Sequence, residues 1–131
     1  MTKADLKNLR KYWLDGSIDD LESAREIIRL TSRYGSGLFY LHLSLEKMLK
    51  YIYVTQNEAH PPFTHNLVFL VEKCGIKISQ LRQRDLITIN EFNLSTRYPD
   101  EKKNISKNFT KAFAKKWLKK VEDIHKFLSD C

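Results

Sequence analysis

The amino-acid pattern predicts an all-α chain, an antiparallel up-and-down four-helix bundle with an additional short helix and an N-terminal helical extension. Every long periodic segment carries its apolar residues at the 3.6-residue spacing of a helix face, and no alternating run bounded by hairpin turn residues interrupts them. The connections between the first segments are short, which makes neighbouring helices antiparallel.

Thr2 with Asp5 three residues later opens the first segment as a capping box, and Leu6, Leu9 and Trp13 form its apolar stripe. Gly16 is expected to end it, with Ser17 and Asp20 capping a new helix whose stripe is Ile18, Leu21, Ala24, Ile28 and Thr31. The turn Tyr34-Gly35-Ser36-Gly37 is expected to close that helix. The next helix runs on to Tyr53 with Leu38, Leu41, Leu45, Met48, Leu49 and Ile52 on its buried side. Pro61-Pro62 holds the following loop extended, and Thr64 is placed to cap a short helix with Leu67, Leu70, Val71 and Cys74 before Gly75. Ser79 starts a segment with Leu81, Leu86, Ile89 and Phe92 that must stop before Pro99. Ile105, Phe109, Ala112, Phe113, Trp117, Val121, Ile124 and Leu128 mark the final helix.

The helix from Tyr34 to Tyr53 carries a second stripe. Phe39, His42, Glu46, Lys50 and Tyr53 lie beside the apolar face, and this mixture of rings, imidazole, carboxylate and ammonium suits a dimer face or a polar cleft. The alternative is a solvated flank with one Glu46–Lys50 pair at i, i+4.

At 131 residues the chain is expected to form one domain, residues 1–131. No apolar run approaches the roughly 20 residues that span a bilayer, and Met1-Thr2-Lys3 begins no secretory h-region, so a cytoplasmic protein with no membrane partner is expected. Cys74 and Cys131 do not make a disulfide framework. Net charge is +7, and from Asp100 onward nine Lys face five acids, which concentrates more than half of the excess there. Such a balance favours acidic partners, among them nucleic acid, a nucleotide or an acidic protein face.

Tyr34, Phe39, His42, Glu46, Lys47 and Lys50, then Thr64-His65-Asn66-Leu67, then Arg97-Tyr98-Pro99-Asp100, resemble the HEPN family of small helical domains. Its common pattern is an aromatic, a His before Glu-Lys, a Thr-His-Asp-Leu helix start and an Arg-Tyr-Pro turn. Here the pieces occur in that order over Trp13 to Leu128, with Leu43 where a Gln often follows the His and Asn66 in place of the Asp. The resemblance implies a helical bundle, a structural role for the Thr-His segment, a likeness to chains that work beside a small nucleotidyltransferase, and pairs that act as toxin and antitoxin or as substrate-binding and catalytic subunits. In the family's ribonucleases an Arg is followed after four to six residues by a His that acts without metal. The corresponding positions after Arg97 are Lys102, Lys103 and Asn104, and no other Arg of the chain has a His at that distance.

Arg97 can present its planar fork to a phosphate and Tyr98 can stack on a base; the alternative is a structural turn. Lys102 and Lys103 would add phosphate contacts. Lys107, Lys111, Lys115, Lys119 and Lys126 read as a solvated face, whereas Lys116 and Lys120 flank Phe113 and Trp117, where their stems frame a groove for phosphate. His60 and His65 are separated by Pro61-Pro62 with no further ligand, so no metal is expected, and no cofactor loop or hydrolase motif occurs.

The expectation is therefore a homodimeric, non-catalytic module that binds a nucleotide or RNA phosphate beside a nucleotidyltransferase. A metal-independent ribonuclease with Arg97 and His42 as its base is one alternative. An adaptor whose aromatic stripe holds a partner helix is the other.

Overall fold

The computed structural model describes residues 1–97 and 109–131, with the backbone alone for residues 94–97. Tyr98, Lys102, Lys103 and Ile105 lie outside the described residues. All regular structure among the described residues is helical: α1 is Lys3–Leu30, α2 Tyr34–Asn57, α3 Leu67–Lys73, α4 Gln80–Arg97 and α5 Lys111–Ser129. No helix among them is long and apolar enough to cross a membrane. Helix α2 is the axis of the bundle, touching α1, α3, α4 and α5.

Helix α1 starts as its sequence predicts. Thr2 Oγ1 accepts from the Asp5 amide at 3.1 Å, and the Thr2 amide donates back to Asp5 at 3.0 Å. It does not stop at Gly16, however, and the predicted extension and first helix are one continuous helix. Gly16 and Ser17 serve close packing there. A Cβ on Gly16 would stand 3.0 Å from Cδ of Lys47, whose ammonium reaches Asp20 at 2.8 Å. Ser17, fully buried, donates to the Ser44 carbonyl at 2.6 Å and meets His125 Nε2 at 2.8 Å. Small and polar residues that read as a helix end thus tie α1 to α2 and α5. A mid-helix glycine costs about 1 kcal/mol relative to alanine, an amount that interhelical contact readily offsets.

The chain leaves α1 at Thr31, whose amide and hydroxyl both donate to the Ile27 carbonyl. Tyr34-Gly35-Ser36-Gly37 is the first turn of α2 rather than a terminator. Gly37 is buried where the two helices nearly touch, and a Cβ there would lie 2.5 Å from Cγ1 of Ile28.

One apolar cluster draws on all five helices, including Ile28, Leu45, Leu70, Leu86, Ile89 and Val121, and Cys74 just past α3. Leu81 and Ile18 are exposed instead of buried, and Ala112 is also exposed. Ala114 and Leu118 take core positions that the predicted stripe lacked. Phe92 on α4 meets Phe109, Phe113 and Trp117 edge-on with centroids 6.2, 6.2 and 5.6 Å away. That aromatic group ties α4 to the start of α5, which Thr110 caps. Cys74 donates its thiol to the Leu49 carbonyl at 3.4 Å, and burial, with a smaller contribution from Cys131, pushes its pKa up to about 11. Both cysteines are free.

Gly37→Ala is expected to destabilise the protein by about 1–3 kcal/mol, because overpacking against Ile28 outweighs the gain in helix propensity. Urea unfolding midpoints check this, and a more stable alanine variant would contradict the close approach.

Candidate functional site

On α2 the polar stripe lies inside the chain. His42 is 0%, Glu46 4% and Lys50 5% exposed, while Phe39 and Tyr53 are half-buried. The loop between α2 and α3 reaches His42 and Glu46 through His65: left-handed Glu58 (φ 51°) turns the chain out of α2, and Pro61-Pro62 restrict the backbone on the way back. His42 Nε2 then donates to the His65 carbonyl at 2.8 Å, and His65 Nδ1 donates to Glu46 Oε1 at 2.8 Å. The second Glu46 oxygen accepts from Lys50 Nζ at 3.1 Å. Lys50 Nζ also stands 5.2 Å above the Trp13 ring. A stripe that the sequence offers as a dimer or cleft face is therefore an internal strut carrying one buried carboxylate, one ammonium and the exposed loop's imidazole.

His65 has been drawn down to Glu46 by one edge, and its side chain remains 36% exposed. A carboxylate only accepts, so the shared proton sits on Nδ1, and in the neutral ring Nε2 is an acceptor. Asn66, next in the chain, is the cap of α3. Its Oδ1 accepts from the amides of Val68 at 3.1 Å and Phe69 at 3.3 Å. Thr64, the expected cap, instead accepts from the Asn66 amide at 3.2 Å. Asn90 on α4 closes the corner by accepting from the Leu67 amide at 2.9 Å and donating to Asn66 Oδ1 at 3.1 Å. His65, Asn66, Asn90, Glu91 and Asn93 line an open cleft of about 270 Å³ at this corner.

Two other groups resemble reactive arrangements. Ser17 beside His125 has the residue types of a nucleophile and its base, yet Ser17 is fully buried and donates its proton to the Ser44 carbonyl. Burial, and then the Arg25 charge, hold the His125 pKa below its ordinary value. This pair joins helices. Lys120, expected as a phosphate contact, lies 3.4 Å from Asp85 and 5.4 Å from the Trp117 ring centroid. Lys116 is exposed, with its ammonium 6.0 Å from the same ring. Among the described residues no group of three His, Cys, Asp or Glu could hold a metal ion.

Arg97 is the last residue of α4, seven residues after Asn90 and so on the same helical register as Asn90 and Asn93. Tyr98, Lys102 and Lys103 follow it outside the described residues.

The HEPN domain family model matches residues 10–131, nearly the whole chain. The chain belongs to the HEPN family. Neither the curated proteins nor the solved structures give a match. HEPN membership points to nucleotide- or RNA-related work. In this HEPN domain the sequence alone singled out His42, Glu46, Lys50 and the Thr-His segment, and it did not single out Asn90, Glu91 or Asn93. Those three carry no periodic or motif signal; only the meeting of α3 with α4 brings them to His65.

Glu46→Gln would leave the Lys50 ammonium buried without its counter-charge. A loss of about 3–5 kcal/mol is expected from denaturant unfolding. Pairing it with Lys50→Met is expected to recover most of that loss, and an equally unstable double variant would contradict the coupling.

Proposed function

We propose that this HEPN domain is a non-catalytic module that binds the phosphates of a nucleotide or RNA, working as a homodimer beside a small nucleotidyltransferase. In this reading residues 1–131 form a single up-and-down antiparallel unit of four long helices and act in the cytoplasm, as a toxin–antitoxin component or a substrate-binding subunit. Arg97, Lys102 and Lys103 supply the phosphate contacts, Lys116 and Lys120 extend the positive field, and Tyr98 stacks. Phe39 and Tyr53, the half-buried members of the α2 stripe, contribute to the dimer face.

The observation that carries the non-catalytic part is the commitment of His42. A general base must reach the proton it removes, and His42 is fully buried with Nε2 bonded to the His65 carbonyl. The sequence adds that no Arg is followed by a His at the family's nuclease spacing. Net charge of +7 supports an acidic ligand, since a basic surface attracts phosphate and releases counterions on binding.

The test is incubation of a mixed-sequence RNA with the purified protein in EDTA, combined with affinity measured across salt concentrations. Intact RNA is expected, with the logarithm of affinity falling against the logarithm of salt at a slope of about −2, since three single-strand phosphate contacts contribute about 0.7 each. Arg97→Ala is expected to reduce that slope by about 0.7. Cleavage that disappears in Arg97→Ala would replace this reading with a metal-independent ribonuclease. Salt-independent or absent RNA binding would favour an adaptor.

A further inference from the structure

Phe63 is fully exposed, although a phenylalanine at a loop tip gains nothing from facing water. Its backbone is restricted. Pro61-Pro62 restrict the backbone before it, and the Thr64 amide closes a tight turn around it by donating to the Pro62 carbonyl at 3.0 Å. The Phe63 ring stands with its centroid 6.5 Å from that of His65, tilted by 56°. His65 in turn is fixed by Glu46 and borders the cleft with Asn66 and Glu91.

The hydrogen-bonding character of this corner is specific. His65 uses its Nδ1 proton on Glu46, which leaves Nε2 as an acceptor in the neutral ring. Glu91 is an exposed carboxylate. Both residues line the cleft, and acceptors there repel phosphate oxygens and attract N–H donors. Asn66 has its carbonyl oxygen engaged by two amides and by Asn90, so its contribution to a ligand is N–H donation. An exposed aromatic ring next to His65, at a cleft that offers acceptors and an N–H donor, matches an unstacked base, because single-stranded RNA is read by stacking on aromatic rings and by hydrogen bonds to base edges. Among the bases, guanine places two adjacent N–H donors next to a carbonyl acceptor. A carboxylate takes the two donors together, and an amide N–H takes the carbonyl.

We propose that Phe63, His65, Asn66 and Glu91 form a reading site for one unstacked guanine of a single-stranded RNA. The site rests on the RNA-binding reading above and adds base selection to it. Its members are distinct from the phosphate contacts: the cleft selects the base, and the basic segment holds the backbone.

The experiment compares three fluorescently labelled twelve-nucleotide RNAs that differ at one central position, uridine, inosine or guanosine, in an otherwise all-uridine strand. Their phosphates are identical, so any difference in affinity comes from the base. The wild-type protein is expected to bind the guanosine strand tightest and the inosine strand, which lacks the amino donor, less tightly. Phe63→Ala, which removes only an exposed ring, is expected to weaken guanosine-strand binding roughly five- to hundredfold, the loss attributed to one base–aromatic stack. Glu91→Gln is expected to abolish the preference for guanosine over uridine while preserving binding to the uridine strand. Equal, salt-sensitive affinity for all three RNAs would overturn the base site and leave the phosphate reading standing. A guanosine preference unchanged in both variants would overturn this placement of the site. No binding to any of the three would remove both readings.

Discussion

The buried carboxylate of Glu46, held between Lys50 and His65, is the interaction on which the α3–α4 corner depends. Its two oxygens serve two directions. One fastens an ammonium within α2, and the other pulls the loop ahead of α3 onto the flank of α2. With His42 gripping the His65 carbonyl, the loop is fixed by both its side chain and its backbone. Desolvating two charges costs about as much as their attraction returns, so the pair contributes little net stability. What it secures is position. His65 fixed against Glu46 puts Asn66 at the start of α3, Asn66 meets Asn90, and the α3–α4 corner acquires its shape.

Helix α2 was the most legible element because it is the most constrained. It touches every other helix among the described residues, so its apolar residues had to follow the helical period almost without exception, and Leu38, Leu41, Leu45, Met48, Leu49 and Ile52 are all buried. Its polar stripe was legible as unusual but not as internal. Periodicity places residues around a helix axis and says nothing about a loop that crosses the flank and removes it from water. The same limit explains Gly16-Ser17 and the Gly35–Gly37 turn. Small residues signal helix ends when only the local chain is considered, and here they signal close helix approach, through Lys47, Ser44 and Ile28. Asn66 rather than Thr64 is the cap because α3 begins at Leu67, where the Asn66 side chain accepts from two amides and meets Asn90.

Motif order carried the family assignment where no single motif was strong, and the HEPN match over residues 10–131 agrees with it. The chemistry was less legible. His42 has the right residue type for a base, but burial decides whether an imidazole can act, and burial is a property of the assembled fold. His65 shows the converse. It reads as a packing residue at a helix start, and the structure makes it the one imidazole of the α2 network that also faces a cleft. In the proposed function the charge of the chain attracts RNA, and the cleft beside His65 supplies the selection that charge cannot.

The claim that Glu46 fixes His65 is tested most directly by an imidazole ¹⁵N–¹H correlation spectrum of the histidine-labelled protein at neutral pH. The account predicts that the His65 Nδ1 carries a proton protected from rapid exchange by its bond to Glu46. An averaged, rapidly exchanging His65 signal with the Nε2–H form dominant, as in a free imidazole, would contradict it.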